Sequence, residues 1–144
     1  MSHTTKIDSV QITDVAAIVL AVRDLNAAGV VCSLVENETP RAYYSRQAGM
    51  GKANYVLRLA QCDYDVGLYK TDSGYEARTD LYMDKVAKVL GAKAKDGERA
   101  EQAAIGKFLQ AYAVNATIRQ AATKGYKVSK TVKSDGTVQL TLNV

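Results

Sequence analysis

FLQAYAVNATIRQAATKGYKV followed by SKTVKSDGTVQLTLNV, residues Phe108 to Val144, is the stretch that decides the fold. It reads as a helix, a glycine stop and a β-hairpin. Gly125 takes the position just past the helix end, Tyr126 and Val128 begin a strand, and Asp135-Gly136 turns that strand back on itself. A helix that runs straight into a hairpin predicts an α+β domain, with the helix laid on an antiparallel sheet.

Upstream, one long helix is predicted from about Glu98 to Lys124, with Ile105, Phe108, Leu109, Tyr112, Ala113 and Ala116 on its inward face. Residues 91–97, bounded by glycines and rich in lysine, read as an exposed loop. A short helix over Met83–Leu90 carries the stripe Met83, Val86, Val89 and Leu90. Three strands precede it: Ala53–Ala60, Tyr64–Tyr69 and Tyr75–Tyr82. The last two are joined by Lys70-Thr71-Asp72-Ser73-Gly74, which suggests an antiparallel meander. In the first of them Tyr55, Leu57 and Leu59 share one face, with Val56, Arg58 and Ala60 on the other.

The beginning of the chain reads as β-α-β. Lys6–Ile12 alternates as a strand, and Thr13 or Asp14 caps a helix that runs to about Ala28. Its stripe is Val15, Ile18, Val19, Val22 and Leu25, and Gly29 stops it. Val30–Leu34 is the next strand. Glu36–Pro40 then forms a polar break, Arg41–Ser45 a further strand with Tyr43 or Tyr44 facing inward, and Gln47–Lys52 a glycine-bearing loop. The whole is an α+β fold in one domain, 1–144: an antiparallel sheet (βαβ start, central meander, C-terminal hairpin) packed by two main helices.

A chain of 144 residues is long enough to bury a core, and 47% hydrophobic content argues against disorder. The longest apolar run, Val15–Val22, is too short to cross a bilayer. The start MSHTTKIDSVQI lacks the apolar stretch of a secretory signal. A soluble, cytoplasmic protein without membrane partners is the expectation. Cys32 and Cys62 are the only cysteines and His3 the only histidine. A disulfide is disfavoured in that compartment, and these three residues do not make a zinc site. No metal and no cofactor is expected. The net charge of +4 permits an anionic partner without demanding one.

The series FLQAYA, AATKGYKV and SDGTVQLTL, with the opening MSH and the strands YDVGLY and YEARTDLY, resembles the chloroplast and cyanobacterial conserved proteins called the thirty-fifth hypothetical reading frame. These belong to a domain family of unknown function that is also found in bacteria and their viruses. The resemblance spans nearly the whole chain and is most specific in its last third. It departs over Met83–Arg99, which is longer and richer in lysine here. It implies a fold and no reaction, so no catalytic residue is carried over. For a viral chain the location would be the host cytoplasm or the virion.

The residues themselves show no catalytic set. Gly49-Met50-Gly51-Lys52 lacks the frame of a phosphate-binding loop, and Ser/His/Asp catalysis would have to use His3, in the N-terminal tail, which counts against it. Asp63, Asp65, Asp72, Glu76 and Asp80 read as turn formers and solvated-face residues. The remaining constellation is cationic and aromatic: Arg41, Tyr43, Arg46, Lys52, Arg58 and Arg78 all fall in the meander or its loops. Guanidinium groups grip phosphates and tyrosines stack on bases. Two function classes stay open. One is a small non-enzymatic binding, adaptor or structural protein that self-associates as a homo-oligomer. The other is recognition of a nucleotide or nucleic acid through the arginine–tyrosine surface.

Overall fold

A computed structural model describes residues 11–43, 49–92, 94–97, 99–134 and 138–143. The elements are α1 (Val15–Ala27), β1 (Cys32–Glu38), β2 (Ala53–Leu59), β3 (Val66–Thr71), β4 (Gly74–Thr79), α2 (Lys85–Leu90), α3 (Ala100–Ala104), α4 (Gly106–Thr123), β5 (Lys127–Val132) and β6 (Val138–Asn143). Strands β1 to β4 form an antiparallel sheet in sequence order, and β5–β6 is a separate two-stranded sheet. The fold is α+β.

Both glycine stops are built as their spacing predicts. Gly29 and Gly125 take positive φ (92° and 81°). Around them Val30 N–H reaches the Leu25 carbonyl, and Tyr126 N–H reaches that of Ala121. These 6→1 bonds close a helix end only when the intervening residue is left-handed, which glycine adopts without steric cost. At the other end of α1 the Asp14 carboxylate accepts from Ala16 and Ala17 N–H and so satisfies two orphan donors.

The core lies between one sheet face and the helices. Leu57, Leu59, Val66 and Leu68 meet Ala17, Ile18, Ala21 and Leu25 of α1 and Phe108 and Tyr112 of α4. The stripe of α1 is therefore rotated from the predicted one: Val19 is 53% exposed, and the small residues Ala17 and Ala21 are buried instead.

Several predicted elements are redrawn. Glu36, Asn37 and Glu38 extend β1 rather than breaking it, held by Glu36 opposite Tyr55 and Glu38 opposite Ala53. Residues 41–43 form no strand, and Tyr43 is exposed. Met83 is 62% exposed because a 3₁₀ turn at Tyr82–Asp84 precedes α2, with Met83 itself at φ 54°. The β3–β4 turn is tighter than predicted, with Thr71 paired to Gly74. The strand expected at Lys6–Ile12 lies mostly outside the described residues; Ile12 forms a single antiparallel bridge to Tyr75. The Asp135-Gly136 turn also lies outside them. No helix among the described residues is long and apolar enough to cross a membrane.

The long helix is broken at Ile105 (φ −111°, ψ 23°) into α3 and α4. The carbonyl of Ala103 accepts from Ala92 N–H, so the chain after α2 crosses the joint closely. Gly91 permits that crossing: a Cβ there would lie 2.1 Å from the Ala103 oxygen and 2.4 Å from that of Ala104. Gly91→Ala is expected to cost about 1–3 kcal/mol through overpacking against backbone. Gly106→Ala, with open space at its Cβ, should be neutral or stabilise by up to about 1 kcal/mol. Urea unfolding of the two variants checks the contrast.

Candidate functional site

The register places Arg58 and Arg78 on one face. Val56 opposes Gly67 and Gly67 opposes Arg78, so the even residues of β2 and β4 share the side opposite α1 and α4. This side is partly covered. Pro40 and Val56 are fully buried, and a Cβ on Gly67 would lie 2.7 Å from Pro40 Cγ. The chain after β1 thus folds back over the sheet, and the lack of a side chain at Gly67 lets it approach.

What fixes that segment is Asp65, a fully buried carboxylate at the start of β3. Arg41 backbone N–H donates to Asp65 Oδ2 at 2.8 Å, and Asp65 N–H donates to the Arg41 carbonyl at 2.9 Å. The Arg41 guanidinium grips both carboxylate oxygens, with Nη2 to Oδ1 at 2.8 Å and Nε to Oδ2 at 3.0 Å. Its Nη2 also donates to the carbonyls of Leu59 and Cys62. From the other side Arg58 Nη1 reaches Asp65 Oδ2 at 3.0 Å, while Arg58 Nη2 holds Glu38. The Asp65 carboxylate holds the Arg41 guanidinium above the ordinary arginine range. Two arginines on one buried carboxylate neutralise it and fill its lone pairs.

A second buried aspartate continues the stitch. Asp80 accepts from Tyr43 N–H at 2.9 Å and from Tyr82 N–H at 2.9 Å. This brings the rings of Tyr43 and Tyr82 to a 5.0 Å centroid distance at the surface. The expectation that Asp65 and Asp80 are solvated is therefore corrected: both are buried, as anchors for backbone and arginine. The signal for Asp65 was its place inside the apolar run Tyr64–Tyr69.

The other predicted site residues scatter. Arg78 pairs with Glu76 and lies 4.4 Å over the Tyr69 ring. It also borders an open cleft of about 1170 Å³ between β4 and α3, whose lining includes Arg99, Glu101, Gln102 and Ile105. Lys52 is exposed just before β2. Arg46 lies outside the described residues. Arg41 and Arg58 thus meet at Asp65, whereas Tyr43, Lys52 and Arg78 stand apart from that pair. Cys32 and Cys62 are free thiols, and burial pushes the Cys32 thiol up. No group of three or more His, Cys, Asp or Glu suited to a metal ion occurs among the described residues.

Away from the sheet face, Tyr112 and Arg119 of α4 seat the start of α1. The Tyr112 hydroxyl accepts from the N–H groups of Thr13 and Asp14 at 2.8 and 3.0 Å, and Arg119 Nε donates to Asp14 at 2.7 Å. The Arg119 hydrogen bond is the largest influence on Asp14 and lowers its pKa from the usual aspartate value.

The chain belongs to the family described as Protein of unknown function (DUF1257), whose model matches residues 25–141. That range holds the whole Arg41–Asp65–Arg58 network and the hairpin to Thr141. No curated protein and no solved structure matches the chain.

Two predictions follow from these contacts. Arg41→Ala is expected to destabilise by about 3–5 kcal/mol, because it takes from buried Asp65 its bidentate countercharge and leaves Arg58 as the other guanidinium on it; chemical denaturation measures it. Asp14, with its folded pKa depressed, stabilises above the unfolded value, and this contribution is lost as pH falls through the folded value. Arg119→Leu should therefore lower stability at pH 7 and flatten the loss below about pH 4, read from melting temperature against pH.

Proposed function

We propose that this member of the DUF1257 family acts by binding rather than by turnover, as a self-associating adaptor or structural protein, and that it belongs with the plastid and cyanobacterial reading-frame proteins. The motifs FLQAYA, AATKGYKV and SDGTVQLTL support that placement. The observation that carries the binding reading is a surface patch. Tyr43 is 37% exposed, Tyr82 42% and Met83 62%, with the two rings in tilted contact and Met83 next in the chain. Tyrosine and methionine are enriched in interface centres. Met83 and Asp84 both hold left-handed backbone, φ 54° and 53°, a conformation that costs a long side chain about 1 kcal/mol or more and that tends to persist at working surfaces. It turns the Met83 side chain outward instead of letting it join the stripe of α2.

A second reading is an anionic ligand, nucleotide or nucleic acid, on the arginine–tyrosine surface. The side chains of Arg41 and Arg78 are 43% and 50% exposed, which supports it. The hold of Asp65 on Arg41 and Arg58 works against it, since a phosphate would compete with a carboxylate already in place.

Native mass spectrometry tests the first reading. The wild-type chain is expected at a multiple of 15.5 kDa, and Met83→Gly at 15.5 kDa. Glycine relieves the left-handed strain, so the variant should melt no lower than wild type and loss of assembly cannot be ascribed to unfolding. A monomeric wild type, or a Met83→Gly protein that assembles unchanged, would sink the patch.

A further inference from the structure

The net charge of the chain is not evenly placed. Residues 119–144 hold Arg119, Lys124, Lys127, Lys130 and Lys133 against Asp135 alone, so the whole formal +4 resides there, and residues 1–118 balance to zero. Most of that excess sits on the β5–β6 hairpin and its entry. The register pairs Val128 with Leu142, Lys130 with Leu140 and Val132 with Val138, which puts these six on one face. That face leans on α4, with Val128, Val138 and Leu140 half-buried. Burial opposes ionisation of Asp24 near the end of α1, and the hydrogen bonds of Asn115 and Arg23, with a smaller contribution from the charge of Lys130, lower its pKa.

The other face is of a different kind. Lys127, Ser129, Thr131, Gln139, Thr141 and Asn143 all share it, and all six are exposed. It bears no carboxylate and no large apolar group; Asn143 donates to Ser129 Oγ at 3.2 Å. Exposed Lys124 stands at the end of α4, three residues before β5, and exposed Lys133 directly follows β5.

We propose that this outward face is a two-stranded ribbon for double-stranded DNA, seated in the major groove. Two strands about 4.8 Å apart with their side chains fit a groove about 12 Å wide, which admits such a ribbon. The neutral residues are those that read base edges: Gln and Asn can address adenine, and Ser and Thr either donor or acceptor edges. The lysines at each end of β5 meet phosphates on the groove walls. Other anionic partners fit less well. A membrane surface calls for apolar side chains beside the lysines, and the exposed apolar residues, Val132 and Leu142, lie on the opposite face. Single strands call for stacking rings, and the face has none. A-form RNA closes its major groove to side chains. A protein interface centres on aromatic or aliphatic anchors, again missing here. The proposal does not depend on self-association through Met83, since a single copy carries the complete ribbon.

Fluorescence anisotropy of the full chain with a labelled 20-base-pair DNA duplex tests it. With Lys124, Lys127 and Lys133 on phosphates, log affinity should fall against log salt with a slope of about −2.7, roughly fortyfold between 50 and 200 mM. Lys127→Glu with Lys133→Glu should weaken binding at least tenfold and reduce the slope by about 2. Thr141→Glu, in the middle of the face, should also weaken it at least tenfold. Val132→Ser on the far face should leave it unchanged, and equal thermal melting of all variants shows the fold intact. No duplex binding at 50 mM salt would overturn the proposal. So would binding indifferent to the hairpin substitutions, or tighter binding to oligo-dT, duplex RNA or phosphatidylserine vesicles than to the DNA duplex.

Discussion

A carboxylate buried at the end of an inner strand must be neutralised where it stands, and Asp65 sets that demand for this fold. Its oxygens are filled by the guanidinium of Arg41, the guanidinium of Arg58 and the N–H of Arg41. Burying an ion pair is weak evidence for net stability, because desolvation offsets most of the attraction. Its consequence is geometric. A bidentate arginine that also closes a backbone bond on the same carboxylate leaves the chain little choice of path. Residues 40–43 are therefore laid across the outer face of the sheet, Pro40 is driven against Gly67, and Val56 is buried on a face that strand alternation alone would leave to solvent.

The same segment passes its position on. Once Arg41 is fixed, Tyr43 lies within reach of Asp80, and Asp80 also holds the N–H of Tyr82. Two buried carboxylates, just before β3 and just past β4, thus carry the path from the sheet out to the paired tyrosines and the left-handed Met83. On the opposite face the helices are joined by similar polar contacts. Asn115, buried within α4, donates to Asp24 of α1 at 2.8 Å, and Tyr112 binds two N–H groups ahead of α1. Hydrophobic packing presses the helices onto the sheet, whereas these directional bonds set their rotation and register.

Local signals in the sequence were legible wherever one residue type has one dominant cause. The glycine stops at Gly29 and Gly125, the Asp14 cap and the first meander strand, Ala53–Leu59, fall where spacing puts them, because each is decided within a few residues; the next two strands are present but run closer together at their turn. The readings that changed depend on distant chain. Apolar periodicity runs unbroken through Ile105, yet the helix breaks there, beside Gly106 and where Gly91 and Ala92 pass close. The glutamates of β1 look like a loop until β2 supplies their ladder partners. Arg41, Arg58 and Asp65 were visible as charges, but 24 and 7 residues separate the arginines from the aspartate. Nothing local distinguishes a phosphate ligand from a guanidinium already bound to carboxylate.

The hairpin shows how charge and burial divide the molecule. An isolated two-stranded ribbon is marginal in water, and this one is held because its apolar face leans on α4. That leaves its other face with no packing duty, so the identity of Ser129, Thr131, Gln139 and Thr141 is not explained by the fold. Strands favour threonine, which accounts for two of the four. It does not account for a six-residue face without a carboxylate in a chain whose remaining residues balance acids and bases. On the sheet, arginines are paired with acids and fix the fold; on the ribbon, lysines at both ends of the face are left to act over distance, as association with a polyanion requires.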